Sequence, residues 1–360
     1  MAVTFKKLPA KVTVSMSGLL SQFQHDMGEG IGNFGGAHAQ ADRIPTGVFA
    51  LDLAMGGGFP RGKCSIVFGP ESSGKTNLVY LAIASHQKLW PELTCAFIDV
   101  EHAFDPDWFK ALGGDPDKLL VISPAYAEQA VDIIESLLRA EDCGLVAVDS
   151  LAALVTSSEM ESSAEKAVVG GAALVIGKLY RKTTIAMVEA EKAGRFPTLI
   201  YVNQITYKIG VMFGDPETTP GGTKPRHQSS MTLRLYGKNK LDPKVSATMP
   251  VFKETKFVIK KWKVPILHAS GEYDMVTYDH DGFHPGQCAD FTAVVEYLKT
   301  FGEFGKHEKK GWAILDGHYA TIEVFKTRYY EEPGFGQMVR QHIVTIMLNK
   351  GELLQDGGKA

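Results

Sequence analysis

The sequence predicts an α/β protein: a mostly parallel sheet flanked by helices, preceded by an N-terminal helical segment and followed by a small C-terminal α/β domain. Three observations carry that expectation. Apolar runs of five to seven residues alternate with longer helical segments from Arg43 to about Ser270. Several of these runs are apolar on both faces, the pattern of strands covered by helices on each side. One of them leads straight into GPESSGKT at 69–76, a glycine-rich turn of the kind that joins a strand to a phosphate-binding helix.

Taken in order, residues 14–28 (VSMSGLLSQFQHDMG) put Leu19, Phe23 and Met27 at i, i+4 and i+8, one apolar helical face. The glycine-rich tract GEGIGNFGGAHAQAD reads as a linker. Two fates are open to that helix: packing on its own domain, or docking on a neighbouring subunit from which the linker does not hold it back. Residues 1–42 are assigned to subunit contact. The core, 43–275, contains candidate strands at 64–69, 94–100, 119–123, 145–149, 199–203, 231–236 and 256–261. From 276 to 360 the texture changes to a helix (DFTAVVEYLKTF), a turn with a short strand pair (GWAILDGHYATI) and a last helix around 335–349. In that helix Met338, His342 and Ile346 share a stripe, read as the core of the small domain.

Composition narrows the class. A chain of 360 residues with 44% hydrophobic and 22% charged residues is an ordinary globular protein, large enough for more than one domain. Net charge is −3, so any anionic partner must be held by local groups rather than a global basic field. The four cysteines (Cys64, Cys95, Cys143, Cys288) lack CxxC spacing, and three sit in apolar runs, as core thiols of a reducing compartment do. No stretch approaches the ~18 apolar residues of a membrane span and no signal peptide opens the chain, so a cytoplasmic protein without membrane contact is expected.

The chemistry concentrates after the strands. In GPESSGKT, Gly69 and Gly74 let the backbone curl so that amides point at one locus, where the helix start adds partial positive charge. Lys75 neutralises terminal phosphates and Thr76 offers a hydroxyl to Mg²⁺. Asp149 closes the run LVAVD, where doubly wound folds collect ligands, and Asp99 and Glu101 close another. Such an acid can support a metal or take a proton from water, or it can be a solvated strand end. Gln204, after a third strand, can donate to a γ-phosphate and accept from water, which suits a sensor. It also opens the stretch 203–223 (NQITYKIGVMFGDPETTPGGT), whose apolar residues lie between turn formers as neither strand nor helix. A further cluster, YDHDGFHPGQCAD, offers Asp279, His280, Asp281, His284 and Cys288. Gly282, Pro285 and Gly286 break any common helical face there, so a polar hinge is expected rather than a metal site.

GPESSGKT, CAFIDVEHAFDP, VAVDSLAAL and NQITYKIGVMFGDPETTPGG closely resemble the signatures of the RecA-type homologous recombinases. The likeness is dense over 43–235 and thins beyond it. It implies a RecA-type P-loop NTPase core and an ATP-dependent enzyme that polymerises as a helical filament on single-stranded DNA, pairs it with homologous duplex and hydrolyses ATP when DNA is bound. It implies that Gly69, Pro70, Glu71, Ser72, Ser73, Gly74, Lys75 and Thr76 wrap the phosphates of ATP, that Thr76 and Asp149 hold Mg²⁺, and that Glu101 is the general base. Gln204 would couple the γ-phosphate to the loop it opens, and Asp105 and Trp108 would hold the adenine, Trp keeping a flat stacking face. A Lys-x-Lys pair acting on the neighbour's ATP maps to Lys261 and Lys263, with Lys260 fitting a shifted register.

The same resemblance implies two DNA loops. The first, near 156–171, brings Val169 and, on the following helix, Arg181, while Gly177 stands where the family has a serine. The second brings Ile209, Val211, Met212, Thr218, Gly221, Gly222 and Thr223, with Ile209 able to wedge between bases and the glycines admitting a phosphate to backbone amides. Lys224 and Arg226 would add local positive charge. Rival readings are a ring-forming, DnaB-like helicase and a RecA-core regulatory ATPase that does not act on DNA. The divergent N-terminal helix, post-loop segment and tail suggest a phage or otherwise distant relative.

Overall fold

The computed structural model describes Ser21, His25 and residues 42–161, 171–207, 217–218, 228–243, 245–246, 248–279, 284–307, 311–315 and 317–349. Contacts divide the chain into Met1–Ala41 and Asp42–Ala360. In the first unit Ser21 and His25 are helical and exposed; Leu19, Phe23 and Met27 lie outside the described residues.

The second unit is organised by a nine-stranded sheet. In chain order, β1 (Cys64–Gly69) leads to α1 (Lys75–Leu89), β2 (Thr94–Asp99), β3 (Leu119–Ile122), α2 (Ala127–Arg139), β4 (Cys143–Asp149), α3 (Gly171–Lys192) and β5 (Thr198–Gln204). The long strands β6 (Met231–Lys240) and β7 (Phe252–Trp262) follow, then β8 (Ser270–Val276) and β9 (Cys288–Ala289). Their spatial order is β9-β8-β7-β6-β1-β5-β4-β2-β3. From β6 to β3 every pairing is parallel, and β7, β8 and β9 extend the sheet antiparallel. This is the mostly parallel α/β sheet that the apolar runs predict.

Period-two alternation explains why those runs are apolar throughout. In β1, Val67 faces a core shared with Leu78, Val79 and Ile83 of α1. Its neighbours Ile66 and Phe68 face the opposite core, with Val131 and Ile134 of α2 and Leu179 and Tyr180 of α3. Each such side chain, fully buried, contributes about 1.5–3 kcal/mol. The outer edges of α2 and α3 are joined by ion pairs, Lys182 to Asp132 and Glu135 and Arg139 to Glu189, and Arg139 also pairs with Glu135 within α2. Being solvent-exposed, they add little. All four cysteines are free; Cys95 and Cys143 are buried, and Cys64 and Cys288 half-buried. No helix among the described residues is long and apolar enough to cross a membrane.

The C-terminal part holds α4 (Phe291–Thr300), a three-stranded meander β10 (Phe304–His307), β11 (Gly311–Ile314) and β12 (Gly317–Tyr319), α5 (Ile322–Glu331) and α6 (Phe335–Asn349). Its own apolar cluster gathers Val294, Leu298, Phe325, Val339 and Ile343, joined by Leu53 from ahead of β1.

Several local expectations need correction. β6 and β7 run four residues or more past the expected 231–236 and 256–261. Their ends form an arm whose residues Gly237 to Lys240 are exposed and polar, so no apolar pattern marks them. Strand β8 alternates charged and apolar residues and reads as loop in the sequence. Helix α5 has an N-cap, Thr321, accepting from Val324 N at 3.3 Å, but a weak apolar stripe. On α6 the buried stripe is Phe335, Val339, Ile343 and Met347, while Met338 is 49% exposed. The expected Met338–His342–Ile346 stripe is thus one residue out of phase, a rotation of about 100° on a helix.

Candidate nucleotide-binding site

Parallel pairing brings the carboxyl ends of β1, β5, β4 and β2 to one edge of the sheet. Gly69 pairs with Gln204, and Asp99 with Asp149. The loop after β1 curls on this edge. A Cβ on Gly69 would stand 2.4 Å from the Leu235 carbonyl oxygen and 2.6 Å from Ser73 Oγ, so nothing larger than glycine fits. Ser72 (φ 57°) and Gly74 (φ 89°) both take left-handed backbone, which turns successive amides toward a common concavity. Lys75 folds back over the loop and donates to the Pro70 carbonyl at 2.7 Å. Ser73 is buried and its hydroxyl lacks a partner among the described residues, an orphan that a phosphate oxygen would satisfy.

The acids form one connected chain. Thr76 Oγ1 donates to Asp149 Oδ2 at 2.5 Å. Ser150, the residue after Asp149, donates through Oγ to Glu101 Oε1 at 2.5 Å, and Gln204 Nε2 donates to the same oxygen at 3.2 Å. Burial pushes the Asp149 carboxyl up to about 6, aided by the negative charges of Glu101 and Asp99 and opposed by Thr76 and Lys75. Burial also lowers the Lys75 ammonium; Asp149, Glu101 and Glu71 oppose this and Lys253 adds to it. Asp99 turns inward, accepting from Ala103 N and Phe104 N at 3.0 Å each, and so shapes the loop that carries Glu101.

The metal expectation can be tested against this donor set. Thr76 and Asp149 supply a hydroxyl and a carboxylate side by side, both hard oxygen ligands. Among the described residues no three His, Cys, Asp or Glu gather as a metal cage. Mg²⁺ needs none, because it is held by one or two protein oxygens with phosphates and water. The residues fit. In the other cluster, His284 Nδ1 lies 2.6 Å from Asp279 Oδ1, and His280 and Asp281 lie outside the described residues.

Beside the loop, Asp105 caps a short helix by accepting from Asp107 N and Trp108 N. The Trp108 indole donates to Asn77 Oδ1 at 2.9 Å, and the Asn77 amide donates to Met275 Sδ at 3.2 Å. A half-buried aromatic face is thereby held against the first turn of α1. Sequence reasoning missed Ser150, Asn77 and Met275. It also missed Gly237, whose Cβ would lie 2.7 Å from Ser73 Cα, so that β6 can press against the loop.

The other expected residues lie elsewhere. Lys261 and Lys263 are level with the start of β1, since Met231 pairs with both Ser65 and Trp262. Lys261 Nζ donates to the Ser229 carbonyl at 2.8 Å, and Lys263 is exposed. Lys260 falls in a bulge, skipped between the pairs Thr232–Lys261 and Leu233–Ile259. Arg181 is exposed on α3, whereas Gly177 is buried. Thr218 lies in a two-residue ladder, Thr206–Tyr207 with Glu217–Thr218, at the base of the stretch that Gln204 opens. Val169, Ile209, Val211, Met212, Gly221, Gly222, Thr223, Lys224 and Arg226 lie outside the described residues.

Comparison with known proteins agrees with this geometry. Residues 15–280 match the family model of the RecA N-terminal domain. The chain is 40% identical over 239 residues to Protein RecA of Saccharopolyspora erythraea, covering 66% of each chain. It is 37% identical over 271 residues to that of Leifsonia xyli, covering 75% of this chain and 73% of the relative. With Protein RecA of a Nocardioides species it shares 37% over 317 residues, 86% of this chain and 87% of the relative. With its glycine-curled phosphate loop at the edge of a mostly parallel sheet, the chain belongs to the RecA family.

Proposed function

We propose that this RecA-family chain is an ATP-dependent homologous recombinase. It polymerises on single-stranded DNA, pairs that strand with homologous duplex, and exchanges strands with DNA-stimulated hydrolysis of ATP to ADP and phosphate. The observation that carries the reading is the hydrogen bond from Gln204 Nε2 to Glu101 Oε1. It ties the candidate general base to the first residue of the stretch that reads as a DNA loop.

Lys75 leaves the Pro70 carbonyl for the terminal phosphates, while the amides of 69–76 and the Ser73 hydroxyl take the remaining oxygens. Bound Mg²⁺, held by Thr76 and Asp149, would neutralise charge developing on the β- and γ-oxygens. Glu101, oriented by Ser150 and Gln204, accepts the proton of the attacking water. Trp108 offers the adenine a flat face and Asp105 a carboxylate. Loss of the γ-phosphate frees Gln204, and the change passes into the loop that holds DNA. Lys261 and Lys263 act on the nucleotide of the adjacent copy, since their own phosphate loop is at the other end of the sheet. Arg181 and Val169, with Ile209, Val211, Met212, Thr218, Gly221, Gly222 and Thr223, contact DNA. Residues 1–42 mediate subunit contact, 43–275 form the ATPase core and 276–360 the small domain; the protein works in the cytoplasm.

ATP is needed for turnover rather than for pairing. Exchanging one duplex for another of like sequence is near neutral, each stacking step being worth about 1.4 kcal/mol on either side. Deforming DNA and then releasing it requires a switch, and moving an equilibrium from 1:99 to 99:1 takes about 5.5 kcal/mol of differential affinity. Electron microscopy with single-stranded DNA, with and without a non-hydrolysable ATP analogue, tests the reading. Nucleotide-dependent helical filaments are expected; rings alone, or no filament, would overturn it.

A further inference from the structure

A second lysine shares the face of the sheet that meets the phosphate loop. Lys253, near the start of β7, pairs in register with Asn239 on one side and Met275 on the other. Directly paired residues share a face, and Met275 on that face accepts the Asn77 amide from the first turn of α1. Thr255, two residues on and therefore on the same face, is 1% exposed. Its hydroxyl lies 3.8 Å from the point a Cβ on Gly74 would occupy. Lys253 is itself half-buried. Among the described residues it has no acidic partner, and its ammonium is held below the usual lysine range by burial alone. Lys75 registers its positive charge. Two partly buried ammonium groups near one another carry a desolvation cost. They are complementary to a ligand carrying several adjacent negative charges.

We propose that Lys253 is a second cation, contributed in cis, for the phosphate chain of the bound nucleotide, alongside Lys75. This rests on the nucleotide reading of the loop. No short-range sequence pattern marks the residue, since it lies 178 positions after Lys75 and reaches the loop only through the β6–β7–β8 register.

The test uses the full chain with ADP, tripolyphosphate and adenosine as probes, comparing wild type with Lys253→Met, which keeps the stem, and Lys253→Arg. Affinity for ADP and for tripolyphosphate falls about tenfold in the Met variant, the worth of one charge-assisted hydrogen bond. The Arg variant recovers it, and adenosine binding is unchanged in both. Unchanged ADP affinity in Lys253→Met would overturn the proposal, and so would an equal loss for adenosine, which would tie Lys253 to the base or to the fold. If wild type itself binds neither ADP nor tripolyphosphate, the nucleotide reading fails instead.

Discussion

The two edges of the parallel sheet handle their charges in opposite ways. At the carboxyl edge, Thr76 donates to Asp149, its neighbour Ser150 and Gln204 both donate to Glu101, all inside one chain, and Lys75 is parked on a loop carbonyl. At the amino edge, Lys261 and Lys263 stand level with the first residues of β1, where their positive charges oppose the burial that pushes the Cys64 thiol up to about 12. The length of β1, roughly 17–20 Å, separates these lysines from the phosphate loop of their own chain, far beyond the reach of a lysine stem. In the proposed reading, one edge therefore holds a nucleotide and the other meets one only in another copy. A head-to-tail arrangement joins the two edges and, unless it closes, yields a helix.

That contrast can be broken in graded ways. Glu101→Gln removes the proposed base while keeping its size, so hydrolysis is expected to fall by about 10²–10⁴ with ATP affinity little changed; phosphate release and equilibrium binding separate the two. Replacing Lys261 and Lys263 together by Ala lowers DNA-stimulated hydrolysis by roughly 10²-fold, the scale of one lost transition-state donor, and leaves ADP affinity intact. A parallel loss of ADP affinity would mean the lysines act within their own chain. Gln204→Ala retains ATP binding and basal turnover but loses DNA stimulation, a change of about tenfold or more in the ratio of rates with and without DNA; normal stimulation would remove Gln204 from the coupling.

The smallest effect concerns Asp149. Its carboxyl sits near 6 in the fold, above the ordinary 3.8, because it is buried among other acids. The fold therefore keeps a proton that the unfolded chain has already released. That contribution is present below about pH 4 and is lost as pH rises through about 6. Asp149→Asn, free of this cost, is more stable than the nucleotide-free wild type above pH 6 by on the order of 1 kcal/mol, a few degrees in Tm. The same variant abolishes Mg²⁺-dependent ATP binding. Thermal melts at pH 5 and pH 8 without nucleotide check the sign; a variant less stable than wild type at pH 8 would contradict it.

What was legible in the sequence was what lies close along the chain. GPESSGKT declares itself because the loop, its lysine and its threonine are contiguous and flanked by a strand and a helix. The strands of the parallel sheet were visible because two apolar cores cover both of their faces. Ser150 stood beside an obvious acid, yet its bond to Glu101 spans 49 positions and depends on β2 lying next to β4. Gly237 looks like any glycine until the register of β6 brings it against Ser73. The same register hides Asn77, Met275 and Lys253. On α6 the spacing was right and the phase wrong, because Met338 is apolar and yet exposed while Val339 fills the cluster. Periodicity reports a helix; only packing fixes which stripe turns inward.

The claim that the active site is divided between the two edges is tested most directly by mixing two inactive chains on single-stranded DNA. One carries Lys75→Ala and lacks the phosphate-loop cation; the other carries Lys261→Ala with Lys263→Ala. In a random equimolar filament, about a quarter of the head-to-tail junctions join an intact loop to intact lysines. Hydrolysis is then expected to recover toward about that fraction of wild type. A mixture no more active than the sum of its two components, while still forming mixed filaments, would contradict the division.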